Sequence, residues 1–249
     1  MKNIQKISFF IAFFGVLLVT ACSKEKGGVT PNVLRKLDKI AYSDGTFFNY
    51  TYDANGRIAR VDAKNYYEIF SYAGTAVTFA YVGINGNTTS FTGTYTLNAQ
   101  GLAANQLNTQ GGTNYLYEYE YNAAGYLKRY VAKNKPATGG VFTQSFEVLY
   151  TYDNGNNLLS FKSVSSGGSV SKYDYEYDKN RYNTTGKEFN GFDFLGRSSS
   201  DFSTKSTYTP SSGAATVTTY AGTFDKKGYL LNRVSTSGSM VITSTYTYK

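Results

Sequence analysis

From residue 33 onward, apolar and polar side chains alternate singly rather than at helical spacing. The clearest stretches are Tyr115-Leu116-Tyr117-Glu118-Tyr119-Glu120-Tyr121 and Tyr173-Asp174-Tyr175-Glu176-Tyr177, with tyrosine at odd positions and mostly carboxylates at even ones. A period of two puts successive side chains on opposite faces of a strand. Residues 142–152 and 243–248 repeat the pattern with Thr and Ser as polar partners. Beyond residue 30 no long stretch keeps a 3.6-residue period, so the chain reads as all-β. The 25 tyrosines and 17 phenylalanines, against three prolines, suit pleated, half-buried surfaces.

A turn motif punctuates the strands: an aromatic or apolar residue, Asp or Asn, two variable residues, Gly, and an apolar residue two positions on. Tyr52-Asp53 with Gly56 and Ile58 is the model copy. Leu97-Asn98 with Gly101, Tyr121-Asn122 with Gly125, Phe192-Asp193 with Gly196 and Phe224-Asp225 with Gly228 follow it. In the copy at Tyr152-Asp153, Asn156 stands where Gly is expected, and Asn enters the left-handed region more readily than other side chains. Tyr177-Asp178-Lys179-Asn180 is a degenerate copy, and Tyr72-Ala73-Gly74 marks a turn that has lost the motif. Asp or Asn accepts backbone amides at the turn, and Gly supplies the positive φ that closes it. These residues are therefore turn-structural, and each copy predicts a hairpin.

A unit of roughly 24 residues holds two strands and two turns. Looser turns are expected opposite the motif, at 133–140, 165–168, 210–213 and 235–238, and all three prolines fall in tether or loop. The expectation is a single antiparallel meander of about 14–18 strands over residues 33–249, strongly curled because open sheets rarely exceed about ten strands. Barrel, half-barrel and two packed sheets remain alternatives. The apolar face is mainly tyrosine, whose hydroxyls want partners, so a barrel spanning a membrane is not expected.

Residues 1–21 read as a leader. Lys2 and Lys6 precede an apolar run of residues 7–19 that is too short to span a bilayer. The run ends in Leu18-Val19-Thr20-Ala21-Cys22, which resembles the bacterial lipoprotein box. That resemblance implies cleavage before Cys22, acylation of Cys22, and a flexible tether over residues 22–32. With Ser23 next to the lipid it also implies the outer membrane, facing either the periplasm or the outside. The repeated units, as in Tyr52-Asp53-Ala54-Asn55-Gly56-Arg57, resemble degenerate YD repeats of Rhs-type proteins. Together with the lipoprotein box they resemble a family of Bacteroidota lipoproteins of unknown function described as porin-like in fold. The resemblance implies a barrel-like fold and carries no activity.

The formal net charge of +8 is dispersed, and a lipidated envelope protein is not expected to meet nucleic acid. There is no histidine, and Cys22 is the single cysteine, which removes His-based catalysis, His metal sites and intramolecular disulfides. No cofactor, no metal and no enzymatic activity are expected. The preferred function is a structural or ligand- and partner-binding scaffold, with a glycan or an envelope protein as partner. Two alternatives stand beside it: a carbohydrate-binding or carbohydrate-active accessory using Glu118, Glu120 or Glu176, and an outer-membrane pore. The candidate ligand surface is the tyrosine face formed by Tyr115, Tyr117, Tyr119, Tyr121, Tyr173 and Tyr175.

Overall fold

The structure, a computed structural model, describes residues 35–84 and 90–249. Cys22, the leader, the tether, Pro31 and the predicted start of the first strand at Val33 lie outside the described residues. The first strands are β1 (Leu37–Tyr42), β2 (Phe47–Tyr52), β3 (Ile58–Ala63) and β4 (Tyr66–Ala73). They are followed by β5 (Ala76–Gly83), β6 (Phe91–Leu97), β7 (Ala103–Gln110) and β8 (Thr113–Tyr121). Next come β9 (Leu127–Pro136), β10 (Thr143–Tyr152), β11 (Leu158–Ser165) and β12 (Val170–Tyr182). The last are β13 (Asp201–Thr209), β14 (Thr216–Phe224), β15 (Leu230–Ser237) and β16 (Met240–Tyr248).

Each strand pairs antiparallel with its sequence neighbours, and β1 also pairs with β16, so the sixteen-strand meander closes into a barrel. The seam is extended by reciprocal backbone hydrogen bonds between Lys36 and Lys249, at 3.1 and 2.9 Å.

The motif turns line one rim, and their geometry repeats. At the first, Gly56 N–H donates to Asp53 O, Asp53 N–H donates to Arg57 O, and Gly56 has φ 74°. Asp53 Oδ1 accepts the amides of Asn55 and Arg57, both at 2.9 Å. Asn98, Asn122, Asp153 and Asp225 accept the same pair of amides in their turns. Asn156, at φ 65°, is the non-glycine residue in the left-handed position.

A β-bulge follows each turn. Tyr52 stands opposite Ile58 while Thr51 stands opposite Arg60, which leaves Ala59 extra, and similar shifts follow at Leu97, Tyr121, Tyr152 and Phe224. Three tyrosines have their own task here. Tyr72, Tyr152 and Tyr177 donate their hydroxyls to the carbonyls of Ile58, Leu127 and Leu158, at 3.0, 2.9 and 2.9 Å. Each acceptor is the bulge residue on the preceding strand, so the phenol satisfies a carbonyl that the bulge has turned out of the ladder.

Two motif copies behave differently. Asp178 Oδ1 accepts the Asn180 amide, but Arg181 rather than Gly follows, and β12 continues to Tyr182 through a bulge instead of turning. Asp193 begins a short 3-10 helix, Asp193–Leu195, and Gly196 closes it with no strand on either side. Asp193 and Gly196 are thus not a hairpin, because the flanking residues lack the alternation that pairing requires. Pro136 is also not in a loop. It ends β9 opposite Thr113, where the absent amide interrupts nothing beyond the strand end.

Inward-facing residues form the core: Leu37, Tyr50, Ile58, Val61, Phe70, Val77, Phe79, Phe202, Leu230 and Tyr246 are all at most 8% exposed. Gly93 makes room for this packing, since a Cβ there would lie 2.5 Å from the Phe79 ring. The outer wall is polar. Thr92, Thr94 and Thr96 on β6, Lys172, Asp174 and Glu176 on β12, and Thr243, Thr245 and Thr247 on β16 all face out. Exposed aliphatics such as Ile69, Leu107, Leu149 and Val217 are scattered among them. No continuous apolar band runs round the wall among the described residues.

Candidate functional site: the lumen and the segment that fills it

Between β12 and β13, residues 183–200 turn into the mouth of the barrel at the motif rim. Phe189, Phe192, Phe194 and Leu195 are too closely spaced for a strand to bury; Phe189 is carried on α1 (Lys187–Asn190), Phe194 and Leu195 on the 3-10 helix, and Phe192 caps the latter. Phe194 is 6% exposed, with its ring edge-on to Tyr95 at 5.1 Å and Tyr72 at 6.2 Å. Phe192 meets Phe70 at 5.3 Å.

The bulges explain how the segment docks. At Ile58, Leu158 and Leu230 the amide has left the ladder, and each finds an acceptor on the inserted segment or its end. Ile58 N–H donates to Gly191 O at 3.3 Å, Leu158 N–H to Ser199 Oγ at 3.0 Å, and Leu230 N–H to the buried Thr184 Oγ1 at 3.0 Å. Arg197 N–H donates to Gly125 O at 2.9 Å. Asn157 and Asp201 then lock the exit: Asp201 N–H donates to Asn157 Oδ1 and Asn157 Nδ2–H to Asp201 Oδ2, both at 2.9 Å. Two glycines permit the close approach. At Gly191 and Gly196, both at positive φ, a Cβ would lie 2.7 Å from Ile58 N and 2.6 Å from the Tyr121 ring respectively.

The tyrosines proposed as a ligand surface all face this lumen. Tyr119 packs between Tyr95 and Tyr130, at 6.4 and 5.3 Å, and donates to Gln106 Oε1 at 2.8 Å. Tyr117 stacks on Tyr130 at 5.7 Å and on Tyr115 at 6.5 Å. Tyr173 lies against Phe161, Tyr208 and Tyr175. Tyr121 packs against Gly196, and its hydroxyl is buried without a hydrogen-bond partner. Burial pushes the phenols of Tyr95, Tyr119, Tyr121 and Tyr175 well above the ordinary tyrosine range. Glu68 shares the lumen with these rings, and burial likewise raises its carboxyl.

The three glutamates weighed for glycoside chemistry lie on the outer wall. Glu118 pairs with Lys133 at 2.7 Å, Glu120 with Arg129 at 2.6 Å and Glu176 with Lys205 at 2.7 Å. Arg129 also pairs with Glu147, so this ladder covers Val131, which is 1% exposed. Glu176 does not neighbour the other two, because β12 is four strands from β8. No cluster of three or more Cys, Asp or Glu able to hold a metal occurs among the described residues.

The inserted segment does not fill the lumen evenly. Toward β10, β12 and β15 it leaves a cavity of about 420 Å³, lined by Tyr150, Tyr152, Tyr175, Tyr177, Lys187, Arg197, Ser199 and Arg233 among others. Alternation places Tyr175 and Tyr177 on a common face, but Lys187, Arg197 and Arg233 come together only through the docked segment. The one sequence signal for that segment is the short step of motif aromatics from Tyr177 to Phe192, too few residues for two strands and two turns.

The closed sixteen-strand meander is similar in fold to two solved porin-like structures. A porin-like protein from Bacteroides uniformis has a TM-score of 0.66 and 17% identity, over 89% of this chain and 99% of that one. A porin-like protein from Bacteroides vulgatus has a TM-score of 0.62 and 12% identity, over 86% of this chain and 99% of that one. At these identities the likeness is one of fold. No protein-family model and no curated protein sequence matches the chain.

Proposed function

We propose that this chain is a lipid-anchored outer-membrane protein whose barrel stands in the aqueous envelope as a non-catalytic binding scaffold. The observation that carries this reading is the polarity of the barrel. Aromatic residues and an inserted segment occupy the inside, while threonine and paired charges cover the outside. A barrel immersed in lipid has the opposite arrangement, with an apolar outer band about 25 Å tall and a polar interior. The porin-like fold is compatible with an envelope location, and acylation of Cys22 supplies an attachment that needs no apolar wall. The engagement of Glu118, Glu120 and Glu176 in ion pairs weighs against the glycosidase alternative.

Removing residues 1–22, the leader together with Cys22, tests the anchor and the pore reading together. The shortened protein is expected in the soluble fraction with its fold intact, and the purified wild type is expected to give no conductance in a planar bilayer. A shortened protein that folds only in detergent would overturn the scaffold reading in favour of a pore.

A further inference from the structure

We propose that the unfilled part of the lumen is a binding site for a small hydroxylated anion, a sugar that carries a carboxylate or a phosphate. The cavity of about 420 Å³ is of the size that small ligands occupy. Its charge is unbalanced. Arg197 and Arg233 line it against a single carboxylate, Asp201, whose Oδ2 is taken by Asn157, while Lys187, also in the lining, donates from Nζ to Leu195 O at 2.7 Å.

Several arginines outside the cavity pair with acids: Arg57 with Asp53, Arg60 with Asp62, and Arg129 with Glu120 and Glu147. In the cavity Arg197 and Arg233 form no ion pair with a described residue. Arg233 projects inward from β15 opposite the buried Ser244, with its guanidinium 4.7 Å from the Tyr220 ring. Its Nε is buried and has no hydrogen-bond acceptor. A buried charged donor without an acceptor is an uncommon arrangement in a folded protein, and a ligand oxygen is the partner it lacks. Guanidinium groups match carboxylate and phosphate oxygens in geometry as well as charge.

The rest of the lining favours a hydroxylated body on that anion. Tyr150 and Tyr175 line the cavity together with Ser198 and Ser199 of the inserted segment and Ser203 of β13. Rings beside hydroxyls suit a sugar, which has apolar C–H faces and hydroxyl edges. A cation is the wrong guest for a pocket lined by two arginines without ion pairs and one engaged carboxylate.

The chain lacks Trp, so its intrinsic fluorescence comes from its 25 tyrosines, of which Tyr150, Tyr152, Tyr175 and Tyr177 line the cavity. Titration of the detergent-solubilised full chain with digalacturonate, glucose 6-phosphate, maltose and inorganic phosphate tests the proposal. Binding of at least one acidic sugar is expected, at least about tenfold tighter than neutral maltose and than inorganic phosphate. Arg197→Gln, at an exposed position that leaves the core untouched, should weaken that binding about tenfold. Arg233→Gln should weaken it further, and Arg233→Lys should restore part of it. Absence of binding by both acidic sugars, equal binding of maltose, or indifference to both Gln variants with unchanged near-UV dichroism would overturn the proposal. Phosphate binding as tight as the sugar acids would overturn its sugar part. The outcome is independent of the anchoring reading, which is judged by fractionation and conductance.

Discussion

Phe194→Ala tests whether the inserted segment is part of the folded core or a loop resting on it. The ring is 6% exposed and makes edge contacts with Tyr95 and Tyr72. Burial of a phenylalanine side chain is worth about 1.5–3 kcal/mol, and each aromatic pair adds about 0.5–1.5 kcal/mol. Those terms agree with the roughly 3–5 kcal/mol commonly lost in a core Phe→Ala change. For a domain of this size each kcal/mol corresponds to about 2–4 °C, so Tm should fall by about 6–20 °C if docking and barrel folding are one cooperative event. Amide exchange read residue by residue supplies the second half of the assay. The Ile58 and Leu230 amides, whose acceptors are Gly191 O and Thr184 Oγ1, should exchange faster in the variant. A Tm within 2 °C of wild type together with unchanged exchange at Ile58 and Leu230 would refute the reasoning, because the segment would then contribute no core.

Three further outcomes follow from single residues. Burial raises the Glu68 carboxyl in the folded state, so the folded protein holds that proton at pH values where the unfolded chain has released it, and stability falls as pH rises from about 4.3 through the folded value. Glu68→Gln should therefore raise Tm at pH 7 and leave it unchanged near pH 3.5; a lower Tm at pH 7 would contradict burial as the cause. Gly101 and Gly196 both have positive φ, but a Cβ at Gly101 meets open space whereas one at Gly196 meets Tyr121 and Gly125. Gly101→Ala should cost about 1–2 kcal/mol in urea unfolding and Gly196→Ala distinctly more, and equal costs would deny the tight docking at Gly196. Hydrogen bonds from the Arg57 side chain, then those from the Arg57 and Asn55 amides, hold the Asp53 carboxyl below its usual range, so the stability it adds is present above about pH 4 and is lost as pH falls through the folded value. Asp53→Asn, which keeps the turn acceptor as Asn98 and Asn122 do naturally, should flatten the acid limb of Tm against pH, and an unaltered limb would place the effect elsewhere.

The hairpin motif was legible because its chemistry is local. An Asp that accepts amides two and four residues on, and a Gly at positive φ, sit within one turn of chain. The inward set of tyrosines was legible for the same reason, since alternation fixes the face. The two misread copies show the limit. At Asp178 the acceptor is present but no residue suited to the left-handed region follows, and the strand runs on. At Asp193 both letters are present, but the neighbours Phe192, Phe194 and Leu195 gain more by burial in the lumen than by pairing. Closure and the cationic cavity depend on contacts between distant residues, such as Leu37 with Tyr248 or Arg197 with Arg233 around one space, and no local pattern encodes them.

The seam between β1 and β16 sets the order in which the molecule must be completed. Every other ladder joins strands adjacent in sequence, whereas this one joins residues about two hundred positions apart, as in Ile40 with Tyr246. Loop closure over that distance is slow, and until it occurs β1 and β16 each offer an unpaired edge of strand-forming residues to another chain. The hairpins can form early, but protection from aggregation arrives only with the seam. Removal of Met240–Tyr248 would expose the edges of both β1 and β15, and such a chain is expected to aggregate rather than persist as a fifteen-strand sheet.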